Sequence, residues 1–376
     1  MKNYSSVSEL WLQRQIEMLK DNITFIAATD NKQNMWGNAI PVVNLSHYSV
    51  FMRVLAKLTI INRKPITERY CETLLKALTK NEVDVIFCNY LSLAYDLKDV
   101  LLNINVPIII HTHGYDITWD LMSRETGEMI YDDCYFDFAR KVSKKALIIA
   151  NSNYSKNKVI EIGVAEDRIV VKKFGVAIER QKKIHRSKTS AVRILYLGRL
   201  IECKAPDLVI RAFELACEKG LDGELFIAGS GNMENTCKSL RECSKYKEKI
   251  KFLGHVNAEE GVSLRSMCDI FTAHNCKSVA TNQIESFGVS IIEAMAAGMP
   301  VVTGRSGGVV ESVIDGVTGF LVTPGDVGDH ANKFLELANS PDLRMTMGRK
   351  SVERIKDSFS LEGEKKSLLE ILKKVR

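Results

Sequence analysis

The sequence predicts an α/β protein of two doubly wound domains facing each other across a cleft. Three observations carry this expectation. Compact apolar runs bounded by polar turns alternate with stretches of helical period through both halves, the pattern of parallel strands joined by crossover helices. Several runs end in polar or glycine-bearing strings, which an open α/β sheet delivers to a ligand crevice. Between the halves, Gln181 to Arg193 holds Lys, Arg, His, Ser and Thr and no acidic residue, and reads as a linker. The expected units are 1–180, a linker over 181–192, a second domain over 193–358, and a final helix over 359–376.

Composition sets the outer limits. A chain of 376 residues is long enough for two domains with full cores. No apolar run approaches the ~20 residues that span a bilayer, and Met1 to Ser6 lacks the apolar core of a signal peptide. The nine cysteines are scattered without a C-x-x-C pair, so neither a disulfide framework nor a zinc site is indicated, and a reducing cytoplasm is expected. A net charge of +6 suits phosphate-bearing ligands or an anionic membrane surface. No aromatic-interleaved basic patch argues for nucleic acid.

In the first half, Ser8 to Leu19 has helical spacing and Ile23 to Ala28 reads as a strand, so the chain opens on a helix. Val50 to Lys64 is apolar with interspersed Arg and Lys, which suits either a helix packed on the sheet or one lying on a membrane surface. Val83–Cys88, Val106–His111, Leu147–Asn151 and Ile169–Lys173 read as buried parallel strands. The second of these delivers His111-Thr112-His113-Gly114 to the crevice, with His111 expected on the opposite side of the chain, packing. Tyr131 to Ala139 reads as a helix with Asp132, Asp133 and Asp137 on a solvated face rather than as a metal site, and Ser152 opens another helix.

The second half restarts with strand Arg193–Leu197, followed by Gly198, Arg199 and Lys204 in a loop, and a helix from Asp207 to Lys219. Two cations there suit the charge of a nucleotide diphosphate: Arg grips two oxygens at once and Lys acts as a point charge. Glu224–Ala228 is a strand ending in Gly229-Ser230-Gly231, a tight turn rather than a dinucleotide fingerprint, because Glu234 stands where the third glycine belongs. Strands at Ile250–Leu253 and Ile270–Ala273 follow, then a polar loop from Asn275 to Ile284. Asp329–Ala338, Pro341–Ile355 and Leu361–Val375 read as helices.

The string from Glu285-Ser286-Phe287-Gly288-Val289 through Glu293 to Gly298-Met299-Pro300 reads as loop, helix, turn and buried strand. Ser286 or Gly288 suits the helix start, alanines keep the packing face thin, and Gly298 with Pro300 stops the helix. Free amides and the positive helix end form an anion site there. At a rise of about 1.5 Å per residue, Glu285 and Glu293 lie too far apart to share a proton but suit two hydroxyl-bearing parts of one ligand.

This string resembles the E-x7-E signature of retaining glycosyltransferases of the GT-B fold, glycosyltransferase family 4. Ser306-Gly307-Gly308-Val309-Val310-Glu311, Gly316 to Val322, the G-R-x-x-x-x-K spacing of Arg199 and Lys204, and the His113-Gly114 pair are similar to that family as well. The resemblance implies two Rossmann-like domains, with a C-terminal helix that crosses back to the first. It implies sugar transfer from a nucleotide-diphosphate sugar to a hydroxyl of a glycan or lipid-linked acceptor, with retention, without a metal or other cofactor, in cell-surface polysaccharide assembly at the cytoplasmic face of the membrane. By the same resemblance, His113 sits beside the donor sugar and its leaving phosphate, and Glu285 with the backbone of Ser286, Phe287, Gly288 and Val289 holds the sugar. Glu293 holds the ribose, Arg199 and Lys204 the diphosphate, Gly229 lies beside the donor, and the backbone of His255 and Val256 cradles the base. The family usually begins with a strand and a glycine-rich loop. In this sequence that strand is short or missing, as in an N-terminal truncation, or Ser6 to Glu9 substitute for the loop. Sugar-nucleotide epimerases, phosphorylases and non-catalytic partner subunits share the architecture and stand as the alternatives.

Overall fold

The structure is a computed structural model that describes residues 10–29, 35–36, 40–45, 66–118, 134–178 and 191–376. The apolar segment 50–64, Asp132, Asp133 and most of the linker, including 181–190, lie outside the described residues.

The N-terminal half opens on α1 (Leu10–Leu19), then β1 (Ile26–Ala28), β2 (Met35–Trp36), β3 (Ile40–Asn44), α2 (Ile66–Lys80), β4 (Ile86–Asn89), α3 (Leu91–Asp96) and α4 (Lys98–Leu101). It continues with β5 (Ile108–His111), α5 (Tyr115–Thr118), α6 (Cys134–Val142), β6 (Ala146–Ala150), α7 (Asn153–Glu161) and β7 (Ile169–Val171). Strands β4, β5, β6 and β7 form one parallel sheet in that order. Ile108, Ile109, Ile110 and Ile149 are fully buried in it, because helices cover both faces. Strand β1 pairs in parallel with β3, and β2 closes a separate three-stranded sheet.

Among the described residues these two sheets are not joined. Edge strands β1 and β4 both line a cavity of about 200 Å³, together with Gln15, Ile16 and Leu19 of α1. Gln15 is buried there, and neither polar atom of its side chain finds a hydrogen-bond partner among the described residues.

The C-terminal half comprises β8 (Val192–Leu197), α8 (Pro206–Glu218), β9 (Gly223–Ala228), α9 (Glu234–Cys243), β10 (Ile250–Gly254), α10 (Ala258–Met267) and β11 (Ile270–Thr272). Then come α11 (Val289–Ala296), β12 (Val301–Gly304), α12 (Val309–Ser312), β13 (Gly319–Val322), α13 (Val327–Asn339), α14 (Pro341–Ser358) and α15 (Leu361–Val375). The sheet is fully parallel in the order β10-β9-β8-β11-β12-β13. The chain winds outward in one direction from β8 and in the other from β11. The crevice at this switch point is where an open α/β sheet takes its ligands.

Helix α15 crosses to the N-terminal half. Ile371 packs with Ile109, Leu147 and Ile149, Arg376 pairs with Asp84 at 3.0 Å, and Glu364 forms a buried ion pair with Lys172. Glu364 also accepts the Gly175 N–H at 2.7 Å. This pairing accounts for one shortened strand: β7 ends at Val171 rather than Lys173, because Lys172 turns inward to Glu364. Likewise β1 begins only at Ile26, because Lys20–Asn22 form a 3-10 turn after α1.

Candidate active site

The first wall of the cleft is built where β5 leaves its sheet. The Thr112 N–H still donates to Ile149 O at 2.9 Å, and Gly114 then turns at φ +105°. The His113 ring lies against Trp11 of α1 (centroids 4.2 Å apart) and Tyr90 (4.5 Å). Its Nε2 sits 3.2 Å from Asn89 Oδ1.

One expectation is corrected here. His111 does not point away from His113: their ring centroids are 4.1 Å apart, since residues two apart in an extended chain share a face. His111 does pack, fully buried, and neither ring nitrogen has a hydrogen-bond partner among the described residues. Burial holds both imidazoles well below the ordinary histidine range, and the Lys172 ammonium adds to this.

The loop is pinned by a residue the sequence did not single out. Buried Asp116 accepts the Leu91 N–H at 2.8 Å and the His113 N–H at 2.9 Å, tying the exits of β4 and β5 together. Burial pushes its carboxyl up to about 6 against the pull of these N–H groups. The available signal was an Asp three residues after His113, placed to turn its carboxylate back on the backbone.

The second wall forms around the switch point. The Tyr196 hydroxyl donates to Arg199 O at 2.7 Å. Lys204 Nζ reaches Glu285 at 2.8 Å, with both side chains largely buried. The loop after β11 is laced to the loop after β8: the His274 N–H donates to Lys204 O (3.2 Å), the Cys276 N–H to Cys203 O (3.1 Å), and Ser278 Oγ to Glu202 (2.6 Å). Glu285 also accepts the Gly288 N–H at 3.2 Å, where Gly288, at φ +83°, caps α11. Burial alone would raise the Glu285 carboxyl, but Lys204 and then Arg199 outweigh it and hold it below the ordinary value. Helix α11 sits deep because Ile292, Ala294 and Met295 are fully buried.

The other expected residues take these positions. Gly229 lies against the β8 exit so closely that a Cβ there would be 1.9 Å from Gly198 O, and its N–H donates to Gly254 O at 2.7 Å. His255 is exposed and Val256 half-buried at the end of β10. Glu293 pairs with Arg14 of α1 at 3.1 Å and with Arg265 at 3.5 Å. The Val289 amide is in the first turn of α11, and Phe287 is buried, its ring 5.4 Å from Phe174. Among the described residues, no group of three or more His, Cys, Asp or Glu is arranged to hold a metal ion. No described helix is long and apolar enough to cross a membrane.

The two walls meet at Ser286. Its carbonyl accepts from Ser152 Oγ at 2.7 Å, and a Cβ on Gly114 would be 2.1 Å from its hydroxyl oxygen. That hydroxyl is buried and has no hydrogen-bond partner among the described residues. Nearby, Glu311 reaches across to cap α7, accepting the Tyr154 N–H at 2.9 Å and the Asn153 side-chain N–H at 3.0 Å. Ser152 and Glu311 were not expected as cross-domain partners, because no local pattern marks a contact over more than 130 residues.

The sequence pattern of the glycosyl transferases group 1 matches residues 177–354. That stretch belongs to the group 1 glycosyl transferases. It covers the second wall from the β8 exit through α11. The whole chain has the GT-B fold. It superposes on Anabaena Alr3699/HepE in complex with UDP-glucose with a TM-score of 0.74 at 18% identity, covering 100% of this chain and 98% of that one. On sucrose-phosphate synthase from Thermosynechococcus elongatus the TM-score is 0.76 at 18% identity, over 97% and 92% of the two chains. Among curated relatives, the chain is 26% identical over 259 residues to a GDP-mannose-dependent monoacylated alpha-(1-6)-phosphatidylinositol monomannoside mannosyltransferase of Corynebacterium glutamicum, covering 68% of this chain and 67% of that protein. It is 28% identical over 228 residues to the capsular polysaccharide biosynthesis glycosyltransferase CapM of Staphylococcus aureus, covering 57% of each. The chain thus spans about three fifths to two thirds of the length of the curated relatives it matches.

Proposed function

We propose that the protein is a retaining, metal-independent glycosyltransferase. It takes a sugar from a nucleotide-diphosphate sugar to a hydroxyl of a glycan or lipid-linked glycan, in polysaccharide assembly at the cytoplasmic face of a membrane. The observation that carries this reading is the meeting of the two walls: the Lys204–Glu285 pair stands at the head of α11, and Gly114, next to His113, abuts Ser286, next to Glu285. A nucleotide diphosphate leaves with charge that something must stabilise. Arg199, Lys204 and the first amides of α11 supply that stabilisation without a metal. Glu285 and the backbone of Ser286 to Val289 hold the transferred sugar. Glu293 holds the ribose, Gly229 gives the diphosphate close approach, and the backbone at His255 and Val256 takes the base. A neutral His113, anchored by Asn89, donates or accepts a hydrogen bond at the sugar rather than carrying charge. The acceptor hydroxyl itself delivers its proton to the leaving oxygen. The mannosyltransferase and capsular relatives support the acceptor class, and the UDP-sugar complex of the similar fold supports the donor class.

The test is a thermal-shift panel of nucleotide sugars, since a ligand at 100 times its Kd stabilises by about 2.7 kcal/mol. The Arg199→Ala, Lys204→Ala protein should lose that shift while still unfolding cooperatively without ligand, at a temperature lowered by the loss of the Lys204–Glu285 pair. The product made from the stabilising donor should keep the anomeric configuration and form equally well in EDTA. Unchanged nucleotide affinity in the double variant rejects the assignment.

A further inference from the structure

We propose that Arg14, from the N-terminal half, is a positioning residue for the donor's ribose, acting through Glu293; the proposal rests on the ribose role given to Glu293 above. Helix α1 carries Trp11 and Arg14 three residues apart, hence on one face. Trp11 lies against His113, and Arg14 reaches over the cleft to Glu293 on α11. One helix therefore touches both ends of the candidate site.

The chemistry of Glu293 calls for such a partner. A carboxylate that receives the two hydroxyls of a ribose must stay ionised and hold its plane still. It has about four acceptor positions over its two oxygens. Arg265 stands 3.5 Å from one oxygen and is itself buried, and Arg14 takes the other at 3.1 Å. Each oxygen then keeps capacity for one hydroxyl of a vicinal diol. Arg265 belongs to the same domain as Glu293, so its grip does not depend on the cleft. Arg14 belongs to the opposite domain, so its grip exists only when the halves approach. Donor binding and approach of the domains are thereby linked through one guanidinium. The pair is partly exposed, with side chains 28% and 22% accessible, and contributes little to folding.

The experiment is calorimetric titration of the full chain with UDP and GDP, then of the tighter binder's 2′,3′-dideoxy analogue. Arg14→Gln should weaken the ribonucleotide five- to tenfold and leave the dideoxy analogue unchanged, with the ligand-free melting temperature as in the wild type. Arg14→Lys should recover part of the loss. In a Glu293→Gln background, Arg14→Gln should cost nothing further. Equal losses for both nucleotides, no loss for either, or full additivity with Glu293→Gln overturns the proposal. If Glu293→Gln itself leaves ribonucleotide affinity untouched, the ribose role of Glu293 fails, and this proposal falls with it. If Glu293→Gln loses affinity and Arg14→Gln does not, this proposal alone fails.

Discussion

Glu285 shows how single contacts define the site. Its carboxyl is buried, and its charge persists because Lys204 lies 2.8 Å away. In Lys204→Met, burial is opposed only by Arg199 and the backbone N–H groups, so the carboxyl should titrate higher than in the wild type, which carboxyl-carbon NMR would record. Breaking one side of a buried pair costs about 3 kcal/mol, so a smaller drop in a urea melt would mean that water reaches Glu285. Gly114 is the second sensitive residue. An alanine there meets both the strained φ of +105° and the Ser286 hydroxyl. Gly114→Ala should lower transfer at least tenfold while leaving far-UV circular dichroism intact, and wild-type turnover would show that the two walls need not touch. The loop positions of Arg199, Lys204, Glu285 and His113 were legible in the sequence, because each lies in a short stretch that leaves a strand or leads into a helix. The cross-domain contacts of Arg14, Ser152 and Glu311 were not. Their partners lie in the other half of the chain, and no spacing rule connects them.

Secondary-structure elements were readable where burial made them uniform. The fully buried strands β5 and β6 and the alanine-rich α11 follow from runs that suit only a covered sheet and a close-packed helix. Their ends were less readable, because β7 stops where Lys172 meets a carboxylate almost 200 residues away. That contact makes α15 a clasp whose strength is testable. Glu364→Leu leaves the Lys172 ammonium buried without its partner and the Gly175 N–H without its acceptor, and should cost about 3–5 kcal/mol. Adding Lys172→Met should restore much of this in chemical denaturation, because a well-packed apolar pair replaces the ions. A double variant as weak as the single one would place the cost in lost shape rather than in the stranded charge.

For the whole molecule, the parallel α/β sheets of the GT-B fold were legible from the alternating runs and the polar strings at the strand ends, whereas the N-terminal strands fall, among the described residues, into two sheets that no run marked. Acid sensitivity emerges only at this scale. His111, His113, His274 and His330 are all pushed below the ordinary histidine value by burial, His274 to about 4. The unfolded chain, titrating near 6.5, therefore binds protons that the folded chain refuses. Stability is complete above that value and falls with declining pH by up to about 1.4 kcal/mol per unit for each histidine. Asp116 works in the opposite direction between about 6 and its unfolded value, offsetting one histidine in part. Urea midpoints should fall markedly from pH 7 to pH 5, and a flat profile would mean that these rings are solvated. The cavity between β1 and β4 has a mechanical consequence. Volume that side chains fill imperfectly is lost on unfolding, so hydrostatic compression favours the expanded chain. Under pressure the N-terminal half, which holds this cavity, should yield first, and the indoles of Trp11 and Trp36 should redden early.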